Sequence, residues 1–173
     1  MTEIIIKETK QEDLKNLMAL WNSGEVMKFV GFPDGLNITY LEVEKWFENI
    51  SGQSNSNHYS IYDAFGEYCG ETYYSIDGKH NLAELDIKLR VEARGKGTAY
   101  KALLNTLDII FCSKNCEKAF VEPDINNKDA WKLYEKIGFK STERPDYLEP
   151  NEVYLEITRD AYMELKTFIE INK

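Results

Sequence analysis

Arg94-Gly95-Lys96-Gly97-Thr98-Ala99 sets two glycines and two cations between an alternating apolar/polar stretch and a helical pattern. A strand that leads into a glycine turn and then a helix leaves the first helical N–H groups without internal partners, at the positive end of the helix dipole. Glycine lets a bulky anion approach that backbone closely. The expected chemistry is a cradle for phosphate or pyrophosphate, in which each charge-assisted amide bond is worth about 1.5–3 kcal/mol. Arg94 and Lys96 add positive charge beside it. Neither common nucleotide motif fits. GxxxxGK[ST] is absent, and Tyr100 stands where a dinucleotide fingerprint needs its third glycine. The turn alone therefore leaves open a different phosphate ligand or no ligand.

The elements around this turn follow from periodicity. Glu3 to Lys7 is a short apolar run, expected as a first strand. Leu14, Leu17, Met18 and Trp21 share one helical face, with Gly24 as the expected stop. GFPDG at 31–35 reads as a loop, and Thr39 with Glu42 forms a capping box before a helix carrying Val43, Trp46, Phe47 and Ile50. Three strands are expected at His58–Ala64, Glu67–Ile76 and Leu82–Val91, as an antiparallel meander. In the third, Leu85, Ile87, Leu89 and Val91 alternate with Glu84, Asp86, Lys88 and Arg90, which puts Glu84 and Asp86 on one face. After the helix that follows the glycine turn come a strand at Lys118–Glu122, a helix capped by Asn126 or Asn127 and stopped by Gly138, and a short strand at Phe139–Thr142. A strand at Glu152–Ile157 and a closing helix complete the chain. This order implies an α+β fold: a mixed, mostly antiparallel sheet of about six to seven strands flanked by helices.

Length and composition set the outer bounds. The 173 residues are expected to form one domain, 1–173, with hydrophobics at 43% and aromatics at 13% excluding a disordered chain. Lys and Arg number 21 against 30 Asp and Glu, a net charge of −9. No basic face can be read, so a nucleic-acid partner is not expected, and a negative surface favours cationic ligands. No apolar run approaches the roughly 18–20 residues of a membrane span, and the start lacks the pattern of a secretory signal. The expected location is the cytoplasm. Cys69, Cys112 and Cys116 are then reduced thiols, and no metal site is expected from them or from His58 and His80.

Two motifs together resemble a known family. Arg94-Gly95-Lys96-Gly97-Thr98-Ala99 resembles the R/Q-x-x-G-x-G/A signature of the GNAT superfamily of acyl-CoA-dependent N-acyltransferases. Asn127-x-x-Ala130-x-x-x-Tyr134-x-Lys136-x-Gly138-Phe139 resembles that superfamily's second block, in the right order and separated by one helix and one strand. The helical pair at 11–50 and the AELDIKL strand are most similar to the RimJ/RimL-type branch.

The resemblance implies acetyl-CoA as donor and a splayed central strand pair. It implies that Arg94, Gly95, Lys96, Gly97, Thr98 and Ala99 hold the pyrophosphate, that Leu89 and Val91 pair with the pantetheine amides, and that Asn127 touches the pantetheine arm near the thiol. It further implies an amine acceptor, on a small molecule or a protein N-terminus, with Tyr134 protonating the departing thiolate. A carboxylate must accept the amine proton, because a free alkylamine has a pKa near 10 and attacks only when neutral. Glu84 and Glu122 are the foremost candidates and Asp86 the third. Trp21 and Trp46 are expected in the core. The 25–37 loop is the expected acceptor wall, with Glu25 and Asp34 available to an ammonium group. A homodimer is among the states the resemblance allows. A non-catalytic acyl-CoA-binding module is the alternative to an enzyme.

Overall fold

The computed structural model describes residues 3–172; residues 1, 2 and 173, the ends of the expected domain, lie outside it. Seven strands form one sheet: β1 (Ile4–Glu8), β2 (Ser56–Asp63), β3 (Tyr68–Asp77), β4 (Leu82–Leu89), β5 (Lys118–Val121), β6 (Lys140–Ser141) and β7 (Leu155–Thr158). Their order across the sheet is β1-β2-β3-β4-β5-β7-β6. Every pairing is antiparallel except β4 with β5, which is parallel. A parallel pair needs a crossover, and here α4 (Thr98–Asp108) and its π-helical continuation Ile109–Ser113 supply it. The remaining helices are α1 (Leu14–Trp21), α2 (Gly24–Met27), α3 (Tyr40–Ile50), α5 (Lys128–Ile137) and α6 (Arg159–Ile171).

The two faces of the sheet bury different helices. Leu103, Leu107 and Ile110 pack with Leu85, Tyr74 and Val121 on one side, each at most 4% exposed. On the other, Leu14, Leu17 and Val43 are fully buried in a cluster that includes Trp21 and Tyr68, with Trp46 packed against it. Trp21 and Trp46 meet edge to face at 4.6 Å, as their periodicity implied.

The capping box before α3 forms as expected. The Thr39 N–H donates to Glu42 Oε2 at 2.8 Å, and Glu42 N–H reaches Thr39 Oγ1 at 3.4 Å. Thr39→Ala is expected to cost about 1 kcal/mol, a fall in Tm of about 2–4 °C for a chain of this size, measurable by calorimetry.

Several boundaries differ from the sequence expectation. Gly24 starts α2 rather than ending α1; the helix stops at Asn22, and Leu36 N–H then donates to Trp21 O at 2.9 Å, folding the 25–37 loop back. The last strand begins at Leu155, three residues later than expected, and Asn127, not Asn126, caps α5. No helix of the described residues is long and apolar enough to cross a membrane.

Candidate active site

The site opens where β4 and β5 part. Their ladder runs from Leu82 opposite Lys118 to Glu84 opposite Phe120. β4 continues to Leu89, while β5 ends at Val121. A cleft of about 590 Å³ fills the gap, bounded by β4, the start of α4, α5, and the expected 25–37 loop, whose first part is helical: Val26 lies in α2 and Phe29 and Val30 in the 3-10 turn Lys28–Val30. Beyond Glu84, β4 has a strand partner only on its β3 side. Arg90 N–H donates to Cys69 O there, so strand alternation turns the main-chain groups of Leu89 and Ile87 toward the cleft.

Val91 departs from its expected role. It has left the strand for a 3-10 turn, Val91–Ala93, and its side chain is exposed. Arg94 causes the early ending. Its Nε and Nη2 donate to Leu89 O at 3.3 and 3.1 Å, and Nη2 also donates to Glu25 O at 3.2 Å. The guanidinium thus fastens the strand end to the 25–37 loop and takes up the Leu89 carbonyl. The Leu89 N–H and both groups of Ile87 are left facing the cleft. Lys96 is exposed and lies off the cleft wall, while Thr98 is buried and Ala99 half-buried at the helix start.

Gly95 and Gly97 carry φ of +73° and +80°, a left-handed backbone that favours glycine. A Cβ built on either meets nothing within 4 Å. The space before both glycines is open, beside the unpartnered amides that start α4. An anionic group at the helix start and a long amide-bearing arm along β4 fit these walls.

Tyr134 sits on α5 at the cleft, 6% exposed, its ring meeting Phe139 edge-on at 5.5 Å. Burial, with the Asp86 carboxylate adding to it, raises the phenol pKa well above its ordinary value. The hydroxyl therefore keeps its proton at neutral pH. Asn127 also lines the cleft, but its Oδ1 accepts the Ala130 N–H at 3.2 Å and so caps α5.

The three candidate carboxylates cluster at the splay. Glu84 is exposed at the last paired position, beside the residues that line the cleft but not among them. Partial desolvation of the carboxyl, then the Glu122 and Asp86 charges, raise its pKa above the ordinary value, with Arg144 opposing. Glu122 lines the cleft; Arg144 pairs with one of its oxygens and Asn151 Nδ2 donates to the other at 2.8 Å. Asp86 also lines the cleft and is paired with Lys88. Glu84 is thus the carboxylate of the three whose charge meets no cation at close range among the described residues. In the 25–37 loop, Glu25 is exposed and pairs with Lys28 at 3.0 Å, and Asp34 is exposed away from the cleft, so neither meets the expectation for an ammonium partner.

A buried polar chain runs behind this wall. Glu71, 3% exposed, accepts from Trp21 Nε1 at 2.8 Å and lies 3.2 Å from Lys88 Nζ. Its other oxygen meets His58 Nε2 at 2.7 Å, and His58 Nδ1 meets Thr9 Oγ1 at 2.7 Å. Burial raises the Glu71 pKa, but the Lys88 and His58 charges and the bonds from His58 and Trp21 outweigh it and hold the carboxyl at about 2. The sequence marks Lys88 as sharing a strand face with Glu84 and Asp86. Its partner Glu71 follows only from the β3/β4 register, which sets Glu71 opposite Lys88. Arg144 lies in an irregular segment and gave no signal.

Comparison with known proteins follows the same line. A family described as "Acetyltransferase (GNAT) domain" matches residues 3–140. The chain is 27% identical over 136 residues to spermidine N(1)-acetyltransferase of Escherichia coli K12, covering 78% of this chain and 71% of that one. A spermidine N-acetyltransferase from Vibrio cholerae, crystallised in complex with CoA and spermine, superposes with a TM-score of 0.81 at 21% identity, over 92% of this chain and 98% of that one. A dodecameric structure of spermidine N-acetyltransferase from the same organism gives 0.75 at 21% identity, over 94% and 97%. With its split strands, glycine turn and matching domain, the chain belongs to the GNAT acetyltransferases, enzymes that draw their acetyl group from acetyl-CoA.

Proposed function

We propose that this acetyltransferase moves the acetyl group of acetyl-CoA onto a primary amine of a polyamine of the spermidine class, by direct attack. The observation that carries the reading is the parting of β4 from β5 immediately before the open glycine turn, with Asp86 and Glu122 on the cleft wall and Glu84 within reach of their charges. A polycation is the acceptor such a mouth attracts, and the net charge of −9 adds long-range steering. The spermidine acetyltransferase relatives support polyamines over the peptide N-termini that the RimJ/RimL resemblance suggested. We read residues 1–173 as one domain, because the sheet runs from β1 near the start to β7 near the end. The dodecameric relative supports a multimer larger than a dimer.

In this reading the amides of residues 95–99 and the start of α4 hold the diphosphate, and Arg94 acts by fixing the turn. The Leu89 and Ile87 main chain orients the pantetheine arm. The coenzyme supplies a thioester whose carbonyl carbon the amine attacks. Glu84, directly or through a water, accepts the proton that the ammonium group must lose. Its raised pKa makes it a better proton acceptor than an ordinary surface carboxylate. Glu122, held by Arg144 and Asn151, shapes the mouth. Tyr134, a protonated phenol at neutral pH, gives its proton to the departing thiolate sulfur as the carbon–sulfur bond breaks, and the second proton that the attacking nitrogen sheds on becoming an amide restores the phenol. A new amide N–C bond and a free thiol are the products.

Acetyl-CoA with spermidine, spermine and simple alkylamines, followed by thiol release and product mass, tests the proposal. One acetyl group on a polyamine per thiol released supports it. Coenzyme binding without transfer to any amine would favour the non-catalytic module instead. Glu84→Gln is expected to lower kcat/KM about 100-fold. It should also remove the lower rising limb of the pH profile, where Glu84 ionises as pH increases, and leave the higher limb set by the amine. An unchanged lower limb would take the role from Glu84.

A further inference from the structure

We propose that Lys88 is a specificity-determining residue: its ammonium, clamped by buried Glu71, occupies the place beside Asp86 that a second ammonium of the acceptor would otherwise take. The proposal rests on the polyamine reading above and concerns how many charges the site accepts.

The cleft wall carries its own cation, and that cation is built in. Lys88 is 14% exposed in its side chain, pairs with Asp86, and sits 3.2 Å from a Glu71 oxygen that is 3% exposed. Glu71 is fixed from two further directions, by Trp21 Nε1 at 2.8 Å and His58 Nε2 at 2.7 Å. Trp21 comes from α1 and His58 from β2, so the clamp is tied to two separate elements. A lysine so held does not swing aside as a surface lysine does.

The charge balance follows. Lys88 is shared between Asp86 and Glu71, and Arg144 pairs with Glu122, which leaves Glu84 as the carboxylate of this cluster without a close cation among the described residues. An acceptor whose reacting ammonium gives its proton to Glu84, and which brings no further charge to Asp86, fits that balance. An acceptor bringing a further ammonium toward Asp86 finds that place taken by Lys88, which buried Glu71 holds there. The site therefore discriminates against the most highly charged polyamines through a residue of its own.

The test compares kcat/KM for spermine with that for a monoamine such as butylamine, and measures spermine affinity by titration calorimetry with CoA present. The Glu71→Gln/Lys88→Met double variant removes both buried charges together, so no buried carboxylate is left unpaired and only the half-exposed Asp86 is freed. It is expected to raise the spermine-to-butylamine ratio about tenfold and to tighten spermine binding by a similar factor, with CoA affinity unchanged. Lys88→Arg is expected to keep the wild-type ratio. A folded double variant with an unchanged ratio and unchanged spermine affinity overturns the proposal. Wild-type protein that acetylates no amine overturns the polyamine reading instead, and the two failures are distinct.

Discussion

Gly97→Val is expected to weaken acetyl-CoA binding about 100-fold while the protein stays folded. Gly97 caps α4 in a left-handed conformation, φ +80°. A β-branched residue there costs about 1–3 kcal/mol in strain, a fall in Tm and not a loss of fold. Nothing within 4 Å obstructs the added Cβ, so the folded chain has room for the side chain. In the proposed reading that room is where a diphosphate meets the amides of the turn, and the valine methyl groups would take it. About 100-fold equals about 2.7 kcal/mol, the loss of one or two charge-assisted amide bonds. Gly66→Val is the control. Gly66 has φ of +83°, an equally open Cβ and a place in the β2–β3 turn away from the cleft. It should lower Tm comparably with coenzyme affinity unchanged. Calorimetric titration beside thermal melts reads both. Equal coenzyme affinity in Gly97→Val and wild type would sink the cradle.

Tyr134→Phe has the second largest expected effect: kcat lower by about 100-fold with acetyl-CoA affinity within twofold. Phenylalanine keeps the ring, its edge contact with Phe139 and the packing of α5, and removes only the hydroxyl. The phenol holds its proton because burial and the nearby Asp86 charge disfavour phenolate. A protonated donor suits a sulfur that acquires charge as it departs. The loss should shrink with a thioester whose thiol is more acidic, since that leaving group needs no proton. A kcat equal to wild type, or an equal loss with both thioesters, removes Tyr134 from the proton transfer.

The sheet was legible in the sequence because half-buried strands alternate and the helices carry clean apolar faces. Leu85, Ile87 and Leu89 against Glu84, Asp86 and Lys88 marked both the strand and its polar face. The glycine turn was legible from its own residue types, whereas Tyr134 was marked only by the resemblance of its motif to the GNAT second block. The end of β4 was not. Alternation continues to Val91, but the strand stops at Leu89 because Arg94 folds back onto the Leu89 carbonyl, a contact no local pattern encodes. The partners of the carboxylates were illegible for a similar reason. Arg144 meets Glu122 from a segment without periodicity, and Glu71 meets Lys88 through register alone. The ion pairs of Glu25 and Asp86 likewise depend on where neighbouring side chains reach, so ranking candidate carboxylates by position alone failed to separate them.

Amide hydrogen exchange at single-residue resolution, with and without CoA, tests the central claim most directly. The account predicts that CoA slows exchange at the N–H groups of residues 95–99 and of Leu89 and Ile87, and little elsewhere on the far side of the sheet. Saturating CoA that leaves those amides exchanging at their free rate, or protects a different surface, would contradict it.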